Sequence, residues 1–178
     1  YKVRSNDTDY LYRPHSAFAY YTGVQGVEAT ADAVLVMEPN GDSHDPILFI
    51  NPRSTRDTDA FYKDARYGEL WVGRRFTLEE AQARYQITTR KISELEEFLA
   101  KDKGALVIRD QDTLVDSLIK KSAKDDELAN FTSVHRMIKD DYEIKEMQRA
   151  VDATHAGFSD IIRAFPAAVQ TPRGERVV

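Results

Sequence analysis

Apolar positions along the chain fall into two patterns. The first is the short unbroken run. "ADAVLVME" (31–38), rich in Val and Leu, predicts a buried strand, and "PILFI" (46–50) is a second apolar run of strand length. "PNGD" (39–42) between them is a turn signal, so the two runs predict a hairpin whose turn is longer than two residues. "AFAYYTG" (17–23) predicts a short strand ending on Gly23, and "ALVIRD" (105–110) a further buried strand.

The second pattern steps by three or four. Ile144, Met147, Val151, Thr154, Phe158, Ile161 and Phe165 form one continuous stripe, the face of a long helix. Asp140 is its N-cap, with Glu143 three residues on, and Pro166 is expected to end it. "TLVDSLIKK" (113–121) is helical, with Leu114, Val115, Leu118 and Ile119 on one face and lysines in the last turn. "TLEE" (77–80) and "SELE" (93–96) are capping boxes, the first opening a helix through Tyr85 and the second one to about Lys101. Residues 124–138 predict a helix that becomes extended. Residues 51–68 are charged around Phe61, Tyr62 and Tyr67 and predict a short helix or ordered loop, and residues 1–16 an irregular segment.

Strands alternating with helices define an α/β class with a mixed β-sheet flanked by helices. The sheet region closes near residue 136. The long helix that follows carries a full apolar stripe and reads as the first helix of something further on.

Composition narrows the chemistry. Hydrophobic residues make up 42% of the 178, enough for a core. A net charge of −5 argues against nucleic acid as a partner. No apolar run approaches the ~20 residues of a membrane-spanning helix, so no membrane partner is expected. The absence of cysteine excludes disulfides and thiolate chemistry and fits a cytoplasmic protein. None of the four histidines stands four residues from another, and no H-E-x-x-H, phosphate-loop, dinucleotide-binding or G-x-S-x-G pattern occurs. "KDDEL" (124–128) and "KDDYE" (139–143) read as acidic helix N-termini rather than metal sites. No catalytic residue and no metal ligand is therefore expected in this chain.

"ELWVGRRFT" (69–77) is the exception to this plain picture. It holds the only tryptophan, Trp71, followed by Gly73, Arg74 and Arg75. Taken by itself the segment supports two readings. Either the indole packs on its own domain beside two solvated arginines, or it waits for a partner.

Three ordered stretches carry a resemblance. "RSNDTDYLYRPHSAFAYYTG" (4–23), followed by "DAVLVM", resembles the N-terminal domain of the aminopeptidase P (Xaa-Pro aminopeptidase) family, of the creatinase/prolidase "pita-bread" metallopeptidase group. "ELWVGRR" is similar to that family's E-I-W-x-G-R-R element. "HRMIKDDYEIKEMQRAVDAT" (135–154) resembles the junction into its catalytic domain. About ten residues, "DAFYKDARYG" (59–68), stand as an insertion before "ELWVGRR" relative to shorter members. The resemblance implies an N-terminal domain over 1–136, and a linker and first catalytic-domain helix over 137–178. It implies an enzyme that releases an N-terminal residue before proline from peptides. Two divalent metal ions, usually manganese, would be held by Asp, His and Glu ligands of the catalytic domain, none of which can be matched here. It also implies a homo-oligomer in which this domain lends Trp71, Arg74 and Arg75 to the rim of a neighbouring site. Prolidase, which takes dipeptides, and a non-catalytic peptide- or protein-binding module are the rival readings.

Overall fold

The computed structural model describes residues 3–5, 8–9, 12–29, 31–101 and 104–176. The chain divides into two compact units, Tyr1–Val134 and His135–Val178.

In the first unit, β1 (Val3–Ser5) and β2 (Thr8–Asp9) pair antiparallel within the segment expected to be irregular. The run at 17–23 is not a strand. It is a helix, α1 (Ser16–Thr22). Its aromatic residues favour a strand locally, but both ends are capped. The His15 ring accepts from the Ala17 N–H, and Gly23 adopts the left-handed conformation at φ 71° and donates to the Ala19 carbonyl.

The sheet has three strands, β3 (Val34–Asn40), β4 (Ser43–Ile50) and β5 (Thr88–Lys91), in the order β3-β4-β5. The first pair is antiparallel and the second parallel, so the sheet is mixed. Register runs from Val34 opposite Phe49 to Asn40 opposite Ser43, which leaves only Gly41 and Asp42 in the turn. The loop is thus shorter than expected, because β3 continues through Pro39. Proline is tolerated there because β3 lies at the sheet edge. Gly41 has φ 60° and Asp42 does not share the positive angle, the pattern of a type II′ turn.

Alternation along β4 builds two cores. Leu48 and Ile50 point to one face, against Val24, Ala81 and Ile87. Ile47 and Phe49 point to the other, against Leu95, Leu99 and Ile119. Burial of four consecutive residues is the signature of a strand covered on both sides. The first face is covered in part by α4 (Leu78–Tyr85), whose capping box is formed as expected: Thr77 Oγ1 accepts from the Glu80 amide and Glu80 accepts from the Thr77 amide.

The second face departs from expectation in three places. "SELE" forms no capping box. Residues Ile92–Glu94 make a 3₁₀ turn and α5 (Leu95–Leu99) begins at Leu95, which is fully buried, so core packing sets the start. Residues 105–110 form no strand. The Val107 amide donates instead to the carboxylate of Asp125, which also accepts from the Ser122 amide and from Arg109 Nε. A side chain there takes the place of a sheet neighbour. α6 (Thr113–Leu118) is capped by Asp112, and Ile119 beyond it is extended and buried, so Lys120 and Lys121 lie past the helix. α7 (Asp125–His135) follows within the 124–138 stretch expected to begin as a helix.

The second unit is dominated by α8 (Asp141–Ala168), 28 residues long and opened by the Asp140–Glu143 capping box. Pro166 lies inside the helix rather than at its end. The missing N–H costs one bond, but Val169 donates to the Phe165 carbonyl and closes the last turn. Ile144, Met147, Val151, Phe158, Ile161 and Phe165 are all exposed.

Candidate functional site

The chain between β4 and α4 is a loop over residues 51–58, a short helix α2 (Asp59–Lys63), a turn, and a second short helix α3 (Glu69–Val72) that carries Trp71. Two glycines bracket α3 for different reasons. Gly68 has ordinary angles, φ −65° and ψ 127°. A Cβ on it would meet the main-chain oxygens of Asp64, Ala60 and Phe61 at 2.4, 2.7 and 2.8 Å. Only a glycine lets α3 approach α2 this closely. Gly73 has open space around it but φ 83° and ψ 176°, a region essentially reserved for glycine. It turns the chain from α3 back towards α4.

Trp71 is 64% exposed, with Leu70, Val72 and Tyr62 exposed nearby in the chain. It is nevertheless held. Its indole N–H donates to the Tyr62 carbonyl at 2.9 Å, a contact supplied by the 59–68 segment. The polar edge of the ring is therefore satisfied within the chain, and what remains for another molecule is the apolar ring itself.

The two arginines differ. Arg74 lies back over the N-terminus of α4 and donates to Glu80, the same side chain that completes the capping box. The Thr77 amide, then Arg74, hold the Glu80 carboxyl below its ordinary range. Arg75 is buried, at 7% exposure. It donates to the Asn51 carbonyl at 3.3 Å and to Ser54 Oγ at 3.5 Å, and its guanidinium lies 5.8 Å from the centre of the Tyr67 ring. Its Nε is buried without a hydrogen-bond partner. Burial lowers its pKa, opposed by the nearby Glu69 carboxylate. Arg75 thus ties the segment to the 51–58 loop, while Trp71 and Arg74 are exposed.

Three further residues shape the site and were not singled out by the sequence pattern. Glu69 is buried; one carboxylate oxygen accepts from the Arg75 amide at 3.4 Å and the other pairs with Arg53 Nε at 3.4 Å. Asp32, at φ 61° in the turn before β3, receives Arg66 through two bonds of 2.8 Å and the Tyr67 hydroxyl as well. Burial, then Asp32, push the Tyr67 hydroxyl pKa up. This clamp anchors the 59–68 segment to the edge of the sheet. Tyr62, whose carbonyl receives the indole N–H, carries no sequence signal for that contact.

Among the described residues no group of three or more His, Asp or Glu side chains is gathered to hold a metal ion. A cavity of about 20 Å³ between α4 and the sheet, lined by Leu48, Phe76, Ala81 and Tyr85, has room for roughly one water molecule. The Tyr85 hydroxyl beside it donates to Glu28, and burial, then Glu28, push its pKa to about 12. No described helix is long and apolar enough to cross a membrane.

The first unit is an α/β unit with a mixed sheet, in which Trp71 is exposed and Arg75 is buried. The chain belongs to the aminopeptidase P N-terminal-domain family, whose model matches residues 1–107. It is 41% identical over 174 residues to Xaa-Pro aminopeptidase 1 of Streptomyces coelicolor and, equally, of Streptomyces lividans, covering 96% of this chain and 34% of theirs. To Xaa-Pro aminopeptidase 2 of Streptomyces coelicolor it is 34% identical over 172 residues, covering 94% of this chain and 36% of that protein. The chain spans about a third of the length of the curated relatives it matches.

Proposed function

We propose that this chain is the N-terminal, non-catalytic domain of an Xaa-Pro aminopeptidase, and that it forms part of the rim of a peptide site in a homo-oligomer. The names of its relatives support the activity. The observation that carries the rim role is Trp71, which is 64% exposed and yet fixed by a hydrogen bond to Tyr62. An exposed side chain held in one orientation has already lost the freedom that binding would otherwise cost it.

The bond before proline is a tertiary amide without an N–H. A site for it must recognise a saturated ring rather than a hydrogen-bond donor. The outward face of an indole whose own N–H is engaged suits such a ring. Arg74 can exchange Glu80 for a carboxylate of the peptide or of a neighbouring subunit. Arg75, buried against Asn51, Ser54 and Tyr67, ties the segment to the rest of the unit. Two divalent metal ions, manganese in this reading, would supply an activated water from ligands outside this chain. The enzyme would be cytoplasmic.

Kinetics of the parent enzyme test the reading. Trp71→Ala should raise KM or lower kcat for X-Pro peptides while metal content is unchanged, and the loss should grow for peptides extending past the proline. Unaltered kinetics at every peptide length remove Trp71 from the site.

A further inference from the structure

The position of Trp71 depends on a residue that touches no ligand in the reading above. Glu69 opens α3, and both ends of the 69–75 segment return to it. Its carbonyl accepts from the Gly73 amide at 3.2 Å, and its carboxylate accepts from the Arg75 amide at 3.4 Å. The other carboxylate oxygen is held by Arg53 Nε. Arg53 also donates its own amide to the Phe76 carbonyl at 3.0 Å, so one residue of the 51–58 loop grips the segment by main chain and side chain together. Glu69 is additionally the leading counter-charge acting on the buried Arg75 guanidinium, ahead of Asp64. Removing the carboxylate would leave the buried Arg75, whose Nε is already unpaired, with only the weaker compensation of Asp64. The chain would relax by moving the 69–75 segment, which carries Trp71.

We infer that Glu69 is a positioning residue for Trp71: its carboxylate, shared between Arg53 and the Arg75 amide, closes the 69–75 segment and sets the direction in which the indole is presented. The effect on substrate rests on the rim role of Trp71, whereas the clasp itself does not.

Two measurements separate these. Trp71 is the sole tryptophan of the 178-residue chain, so emission and acrylamide quenching report that one side chain. Glu69→Gln and Arg53→Ala should each change the quenching constant with far-UV circular dichroism retained, and Arg53→Lys, which keeps the ion pair, should restore it. Should Glu69→Gln fail to fold, the Arg53 pair of variants carries this arm. In the parent enzyme Glu69→Gln should lower kcat/KM roughly tenfold to a hundredfold, the scale of a misplacement near 1 Å. It should add nothing in a Trp71→Ala background, because the two act as one unit. A quenching constant unchanged by Glu69→Gln and by Arg53→Ala overturns the clasp. Equal losses from Glu69→Gln in both backgrounds make Glu69 a residue of the fold alone and overturn the positioning role. Altered quenching with unaltered kinetics leaves the clasp standing and rejects the rim role of Trp71 instead.

Discussion

Replacing Gly68 by alanine adds one carbon atom where three main-chain oxygens already stand. The added Cβ would lie 2.4 Å from the Asp64 oxygen, 2.7 Å from that of Ala60 and 2.8 Å from that of Phe61. Carbon–oxygen contacts settle at about 3.3 Å or more, so each approach is too short by roughly 0.5–0.9 Å. None of the three can rotate away, because all belong to the backbone of α2 and the turn after it. Relief requires α3 to withdraw from α2. Overpacking of this kind costs about 1–3 kcal/mol. Withdrawal also weakens the 2.7 Å bond from the Gly68 amide to the Asp64 carbonyl, adding about 1 kcal/mol. The expected loss is therefore about 2–4 kcal/mol. Urea unfolding of the chain, followed by circular dichroism, should show the midpoint falling by about 1–2 M for a slope near 2 kcal/mol per M. Trp71 emission should shift in the native baseline as well, since the Tyr62 carbonyl and the indole part company. A stability within about 0.5 kcal/mol of the parent, with unchanged emission, would show that the α2–α3 contact is soft and that Gly68 has no steric role.

The same substitution at Gly157, mid-way along α8 with nothing within 4 Å of the added carbon, should raise helix stability by about 0.5–1 kcal/mol; a loss of helical signal would contradict it. Trp71→Ala in the isolated chain should cost no more than about 1–2 kcal/mol, one hydrogen bond and a partly buried ring, against about 3–5 for a buried tryptophan, as read by the urea midpoint. The Asp125 carboxyl is drawn down to about 2 by the Ser122 amide, with Arg109 and the Val107 amide contributing. Its unfolded value is near 3.9, so its contribution to stability is present above about pH 4 and is lost as pH falls through 2. An NMR titration placing this carboxyl at or above 3.9 in the folded chain would refute that.

Elements whose signal is local were legible from the sequence. The β3–β4 hairpin, α4 and α8 each carry a run, a capping box or a stripe that needs no distant partner. Misreadings occurred where a distant or unexpected group intervened. The 105–110 run has strand composition, but Asp125, 18 residues beyond Val107, takes its amide. "SELE" has the letters of a capping box, yet the buried Leu95 fixes where the helix starts. α1 has strand-like aromatic residues but is capped by a histidine, an uncommon cap. At the site, Trp71 is exposed although Glu69 and Arg75 close by in the chain are buried, so charge alone does not mark which side chains face solvent. The indole's partner is a main-chain carbonyl nine residues earlier, which no side-chain pattern encodes. Gly68 shows the same gap: a glycine required for close contact cannot be told from a flexible one by its letter.

The double burial of β4 fixes an order of events during synthesis. The strand leaves the ribosome early, as part of a hairpin that can form at once, but with both faces bare. One face is closed by Ile87 and the residues before it, the other only once Ile119 is available. Those positions are 32 residues apart (119 − 87), or about 2–6 s at ordinary elongation rates. Within that interval Leu95 and Leu99 reach Ile47 and Phe49 first, so this face would stand only partly covered until Ile119 joins them, and a slow codon or a stall within 88–119 would prolong its exposure. The nascent chain is thus most prone to aggregate, and most in need of a chaperone, after its first core has closed and before its second.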